Sequence, residues 1–514
     1  MMFLSRRAFS GLIMLPFVLA ACLSIVRAIR FVPIPYELGY GEGLVLWQAA
    51  HITRLNEVYH PINIYPFVVC MYPPVFQMLS RIAGWLVGDL QVGARCVAIL
   101  AFFGIIALAG ALARAGMQSK FDSMARWTAA LVSGGVAATV SSVRNFVPSA
   151  RADGLGLFFT LTGLLLFTTA GEKRRMQYFA FVCFILALFT KQTLVAAPIA
   201  CLITGAIIDR KRALQIGLFA GFCGLIPLLL LNWLTKNQFI PHLFLYTRNT
   251  FSVRQAIFFL VRNLRDMLPL IVALGAMGIS AVHDRRSHYR WNLQAIRAEL
   301  VTDKRRAALF TFVVYMFCAL AVSATCGKAG AAEYYFMEWN VACGILTGIS
   351  LGFLIGRWQE AAGSWITVSA GAAVCLFAIL AIGKTVNPAL RLTAGAHRLD
   401  AAQSDEFNRA LQIVQHTPGP VFAYDLTLLL KAGKEVPLEP FMLFDLAKSG
   451  RWDERPFVQQ LLQHYYTAIV AESDVVADNS VPATVRNAIA TAYVPAERIG
   501  KYTIYRPAGG QLLN

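Results

Sequence analysis

The chain has 514 residues, of which 57% are hydrophobic and 14% charged, with a net charge of +18 and a mean hydropathy of +0.57. A soluble domain carries about 25% charged residues. The shortfall excludes a soluble globular enzyme, a disordered chain and a nucleic-acid-binding domain. The apolar runs are long and unbroken, which argues for a polytopic α-helical membrane protein and against a β-barrel.

Charge is divided unevenly along the chain. Residues 1–384 hold 34 Lys and Arg against 15 Asp and Glu, a net +19, whereas residues 385–514 hold 12 against 13, a net −1. The basic residues of the first part sit in short clusters between apolar runs, which is a topology signal. The near-neutral tail reads as a separate soluble domain. None of the ten cysteines lies in the tail and none is in CxxC spacing. Neither zinc, a redox pair nor a disulfide framework is indicated.

A membrane span needs about 20 apolar residues. In chain order the spans fall at roughly 9–29, 93–113, 124–142, 153–171, 176–190, 192–208, 213–233, 266–283, 307–325, 335–356 and 362–383, eleven in all. Around the first, Ser5-Arg6-Arg7-Ala8-Phe9 resembles a twin-arginine export signal and Leu19-Ala20-Ala21-Cys22 a lipoprotein cleavage box. Many spans follow and depend on this one for their topology, so a signal-anchor helix is the preferred reading. With the amino terminus inside, Arg6-Arg7, Arg114/Lys120/Arg126, Lys173-Arg174-Arg175, Arg210-Lys211-Arg212 and the loop 284–306 all face the cytoplasm. An odd number of spans then places the tail outside. The expected location is the inner (plasma) membrane, crossed many times.

Two outside segments are long, 30–92 and 234–265, and loops of that length are more often functional than idle. The first contains the apolar stretch Tyr72–Val87, opened by Pro73 and Pro74 and interrupted by Arg81. It reads as a helix lying on the membrane interface. In the tail, Pro420–Tyr424, Thr467–Val470 and Tyr502–Tyr505 read as strands and Pro456–Tyr466 as an amphipathic helix, predicting a small α/β domain.

Ionisable groups near a membrane are costly and therefore candidates for function. Glu37 and Glu42 lie in Pro35-Tyr-Glu-Leu-Gly-Tyr-Gly-Glu-Gly43, whose glycines permit close approach of a ligand. Arg144, Arg151 and Asp153 flank the fourth span. Lys191 separates the fifth from the sixth, and Arg248 lies in the second long segment. Lys328, Glu333 and Glu338 surround the tenth span. Together they support one scheme. A carboxylate takes the proton of an acceptor hydroxyl, and Arg and Lys hold a lipid-linked phosphate as it leaves. Plainer readings exist for each: Asp153 as the structural partner of Arg151, Lys191 snorkelling to the interface, and Glu57 and His60 as ordinary loop residues.

Four pieces of the sequence resemble the GT-C membrane glycosyltransferases: Gly39-Tyr-Gly-Glu-Gly43, Tyr72-Pro-Pro-Val-Phe76, Ser149-Ala-Arg-Ala-Asp-Gly154 and Thr190-Lys-Gln-Thr193. Their order and spacing over about 1–200 are similar to bacterial relatives of the dolichyl-phosphate-mannose protein mannosyltransferases and the aminoarabinose lipid A transferases, a family-39-like group. Glu333-Tyr-Tyr-Phe336 and the tail resemble the same group more loosely. The resemblance implies a GT-C-like domain over 1–384 and an extracytoplasmic domain over 385–514. It implies transfer of a sugar from a polyprenyl-phosphate donor to an envelope lipid, glycan or protein acceptor, with inversion. By position the base is Glu42, assisted by Glu37. This chain departs from the family's acidic pair, because Gly41 stands at the first acidic position. Arg151, Lys191 and Arg144 would bind the donor phosphate, and Tyr72, Asp153 and Arg248 would shape the sugar or acceptor site. No metal or other cofactor is indicated, and no nucleic acid. The alternatives are a transporter or lipid-linked sugar flippase, or a non-catalytic scaffold. A transporter usually shows inverted repeats and charge at mid-depth; here no repeat is found and the charges cluster on one face.

Overall fold

The computed structural model describes residues 6–117, 123–267, 293–360, 401–472 and 474–509. Six helices among them are long and apolar enough to cross a membrane: Ile13–Arg30, Leu90–Gly116, Ala152–Ala170, Arg210–Leu234, Lys304–Gly327 and Glu333–Gly356. The protein is a multi-pass membrane protein. Three further expected spans fall on shorter helices, Ser123–Thr139, Arg174–Leu188 and Ala196–Ile208. Those expected at 266–283 and 362–383 lie outside the described residues, apart from the first two positions of the former, as does the boundary expected at 384/385.

The helix Met337–Glu360 is the centre of the bundle. In its spanning window 94% of the residues are buried, so it is enclosed on every face rather than along one stripe. It lies against Ser123–Thr139 through small residues. A Cβ on Gly344 would come within 2.9 Å of Val136, and one on Gly352 within 2.7 Å of the Ala125 carbonyl oxygen. Close helix approach through small residues is how bundles pack when lipid offers no hydrophobic drive.

The basic helix ends gather at one end of the bundle. Arg212 donates to the Glu172 carbonyl at 3.0 Å and Arg297 to that of Ile208 at 3.4 Å. Lys304 lies against Gly171. The opposite end carries the long 30–92 segment. Its interfacial helix, Val75–Val87, starts directly after Pro74 and stops at Gly88, whose φ of 84° suits glycine. Phe76, Gln77, Ser80 and Gly84 face inward, whereas Met78, Ile82, Trp85 and Leu86 are exposed. An apolar face left outward at this level fits a helix lying in the membrane interface.

Residues 401–509 build a four-stranded sheet in the order β1-β2-β4-β3. β1 (Val421–Ala423) and β2 (Ala468–Ala471) are parallel, and β4 (Tyr502–Pro507) is antiparallel to both β2 and β3 (Tyr493–Ile499). The three expected strands are present within a residue or two. β3 was not expected: Pro495 and Glu497 interrupt its apolar pattern, and edge strands with a bulge tolerate both.

The tail is not packed as a separate unit. Its core continues into the 30–72 segment, so that Tyr36, Trp47, Val58 and Tyr59 share one cluster with Val421, Leu428 and Ile504. Backbone pairing adds to the joint: Phe67 N–H donates to the Pro437 carbonyl and Glu439 N–H to that of Phe67, both at 2.8 Å. Gly43 sits where the two parts touch. A Cβ there would lie 2.6 Å from Glu37 Oε1 and 2.7 Å from the Thr427 nitrogen, which is backbone and cannot yield cheaply. Gly43→Ala is expected to cost about 1–3 kcal/mol by overpacking. Limited proteolysis should show faster cleavage within 401–509 while the transmembrane helices stay resistant.

Candidate active site

The chain between the first span and Glu42–His51 folds around one buried arginine. Arg95, in the helix Leu90–Gly116, donates from Nη1 to the Phe31 carbonyl at 2.9 Å and from Nη2 to that of Tyr36 at 2.7 Å. Its Nε and Nη2 also bind the two oxygens of Glu42 at 2.8 Å each. Those oxygens accept two more donors, Ala150 N–H at 2.7 Å and Leu38 N–H at 2.9 Å. Both side chains are completely buried.

Glu42, expected to be the base, is held in this buried cluster, where four donors occupy its carboxylate. Glu42 instead ties the loop, the Leu90–Gly116 helix and the 149–151 segment together. Glu37 is placed elsewhere as well. It accepts the Gly43 N–H and, at 3.4 Å, the Thr427 hydroxyl of the tail. Burial and the nearby Asp425 carboxylate push its carboxyl well above the usual range. It belongs to the joint between loop and tail. The turn at Gly41 (φ 93°) explains the division, because it sends Glu42 inward and leaves the preceding Tyr40 exposed.

Beyond that turn lies a cavity of about 440 Å³, bounded by Tyr40, Tyr72, Arg151, Lys191 and Arg248 and closed on the tail side by Phe441 and Met442. Its cationic wall is built from three segments. Arg151 precedes the helix Ala152–Ala170; its Nε binds Asp153 Oδ2 at 3.1 Å and its Nη1 the Tyr40 carbonyl at 2.8 Å. Lys191 sits in the non-helical stretch between Leu188 and Ala196 and binds Asp153 Oδ1. Both cations stand over the Tyr334 ring, at 4.5 and 4.6 Å from its centre. Asp153 therefore bridges two cations and leaves the cluster one net positive charge. It occupies the first turn of its helix, where a negative charge is favoured.

Tyr72 lines the cavity, with its carbonyl accepting the Tyr59 hydroxyl at 2.7 Å. Burial holds its phenol well above the ordinary range. Arg248 and Lys328 line the cavity too. Arg144 does not; it ends the short turn Ser141–Arg144 and its Nε reaches Asn145 Oδ1 at 3.3 Å. His60 and Glu57 are structural, for His60 is held by the carbonyls of Glu57 and Pro66, and Glu57 pairs with exposed Arg54. Gln192, Tyr334 and Tyr335 join the site although no role was expected for them. Two of the quoted sequence pieces, Thr190–Thr193 and Glu333–Phe336, contain them, which was the available signal.

Among the described residues no group of three or more His, Cys, Asp or Glu side chains converges. No carboxylate stands among the residues lining the cavity.

The backbone arrangement has solved counterparts. The ArnT of Cupriavidus metallidurans bound to undecaprenyl phosphate superposes with a TM-score of 0.59 at 16% identity, covering 98% of this chain and 99% of that one. The archaeal oligosaccharyltransferase AglB of Archaeoglobus fulgidus, in complex with an inhibitory peptide and a dolichol-phosphate, gives 0.52 at 12% identity, covering 98% and 75%. The chain has the GT-C fold. No protein-family model matches it, and no curated protein matches it in sequence.

Proposed function

We propose that this protein is an integral membrane glycosyltransferase that moves a sugar from a polyprenyl-phosphate donor to an envelope lipid, glycan or protein acceptor. The observation that carries the reading is the Arg151–Asp153–Lys191 cluster, a net positive charge on the wall of a cavity in a GT-C fold. In that fold, the ArnT neighbour is bound to undecaprenyl phosphate and the AglB neighbour to a dolichol-phosphate. Arg151 and Lys191 would hold the donor phosphate, with Arg248 and Lys328 across the cavity for the sugar or acceptor. Arg151 offers a planar fork for phosphate oxygens and Lys191 a point charge.

The chemistry is an in-line displacement. The acceptor oxygen bonds to the anomeric carbon, the bond to the phosphate oxygen breaks, and the phosphate departs with the electron pair. One displacement inverts the carbon. The two cations neutralise the charge that grows on the leaving phosphate, so the reading needs no resident metal. Basic clusters at the end of the bundle away from the cavity support, by the positive-inside rule, an orientation with the cavity and the tail outside the cytoplasm.

The purified protein reconstituted in liposomes with radiolabelled polyprenyl-phosphate sugars and envelope extract is expected to transfer label. Folded protein that neither transfers label from any donor nor binds undecaprenyl phosphate overturns the proposal.

A further inference from the structure

With Glu42 saturated and the cavity wall free of carboxylates among the described residues, the acceptor proton needs another destination. Gly41 marks the gap: a Cβ there would stand 3.8 Å from Arg151 Nη1, so a side chain at this position would face the phosphate cluster, and none does. The residue before it points into the space instead. Tyr40 lines the cavity, and its carbonyl is the one that Arg151 grips. Its hydroxyl donates to Glu439 Oε1 at 2.5 Å, across 399 residues of chain.

Glu439 is fully buried and comes from the tail. It caps the helix Pro440–Lys448, accepting Phe441 N–H at 3.1 Å and Met442 N–H at 2.9 Å. Phe441 packs its ring on that of Tyr40 at 4.7 Å between centres, fixing the phenol. The phenol oxygen also accepts the Phe441 N–H at 3.2 Å. A tyrosine hydroxyl has one donor and two acceptor sites, so one acceptor site remains for a substrate hydroxyl. Burial pushes the Glu439 carboxyl up to about 7 against the pull of Tyr40 and the helix amides, which leaves it able to take a proton near neutral pH.

We infer that Tyr40 and Glu439 together form the proton-accepting device of the site, with the carboxylate supplied by the tail rather than by the first loop. The inference rests on the glycosyltransferase reading. In the step, the acceptor hydroxyl gives its proton to Tyr40 Oη while the Tyr40 proton passes to Glu439 Oε1. The acceptor oxygen bonds to the anomeric carbon as the carbon–oxygen bond to phosphate breaks, and the phosphate keeps the electron pair. Tyr40 is the catalytic residue, because it touches the acceptor; Glu439 acts through it.

The test uses the full reconstituted protein and compares wild type with Tyr40→Phe, Glu439→Gln and the double variant in the radiolabel assay. Each single change is expected to lower kcat by about 10²–10⁴-fold, the usual contribution of general base catalysis, at unchanged donor KM and unchanged undecaprenyl-phosphate binding. The double variant should be no worse than the poorer single. Glu439→Gln is the discriminating change: its carbonyl can still accept the Tyr40 hydroxyl and a helix amide, but it cannot hold the proton. Glu439→Asp should recover part of the turnover. Retention of kcat within about threefold in either single variant, or a loss that tracks donor binding or unfolding, overturns the inference and leaves the glycosyltransferase reading standing. A folded wild type that neither transfers label nor binds undecaprenyl phosphate sinks both.

Discussion

Arg95→Met is expected to destabilise the protein by about 3–5 kcal/mol, the cost of stranding one partner of a buried ion pair. Arg95 and Glu42 are both completely buried, and the carboxylate would be left with only the Ala150 and Leu38 amides. Four loop carbonyls, those of Phe31, Val32, Ile34 and Tyr36, would lose the guanidinium as a donor in the same step. The measurement is the thermal midpoint in detergent and the yield of monodisperse protein. Replacing both members with methionine should recover much of the loss, because a well-packed apolar pair avoids the desolvation cost of two charges. Glu42→Gln tests the same brace from the other side. All four partners of Glu42 are donors, so the new amide NH2 must face at least one of them. Stability should fall by about 1–3 kcal/mol for the unsatisfied group. If Glu42 is a brace, turnover per folded molecule stays within about tenfold of wild type. A loss of 10²-fold or more in well-folded protein would return Glu42 to the role of base.

The contrast between Glu42 and Tyr40 shows how far the sequence could be read. The pentapeptide that borders the cavity was legible, because glycines and a carboxylate just past a first span form an unusual pattern. Which of its side chains enters the cavity was not. That depends on the positive φ at Gly41 and on the phase of the helix behind it. Arg95 was hidden differently. It lies inside an expected span, and only a cation in an apolar run hinted that a buried anion was needed elsewhere. The helix Val75–Val87 was readable because Pro73-Pro74 and a mainly apolar run after it are local signals. Glu439 stands before Pro440, a local sign of a helix start. Its contact with Tyr40 spans 399 residues of chain, and nothing local encodes that. The tail was read as a separate domain because charge and hydropathy report composition. They cannot report that Val421 and Tyr36 share a core.

The cationic cluster makes the second large prediction. Lys191→Met is expected to lower turnover by about 10²–10³-fold, the size of effect seen when one preorganised group facing a developing negative charge is removed. The charge arithmetic gives the reason. Asp153 neutralises one of its two cations, so the cluster offers a phosphate one positive charge, and the methionine variant offers none. Undecaprenyl-phosphate binding should weaken as well, since ground state and leaving group share the same contacts. Titration provides an independent check. Burial lowers the Lys191 ammonium below the usual lysine range, against the opposing pull of Asp153. Rising pH should therefore remove the charge earlier than in a free lysine and produce an alkaline fall in turnover. Lys191→Arg keeps a guanidinium charged throughout that range, so its activity, lower because the fork cannot copy the ammonium geometry, should lack the alkaline fall. If Lys191→Met instead keeps wild-type turnover and donor affinity, Lys191 serves only to anchor Asp153, and Arg151 with Arg248 must hold the phosphate.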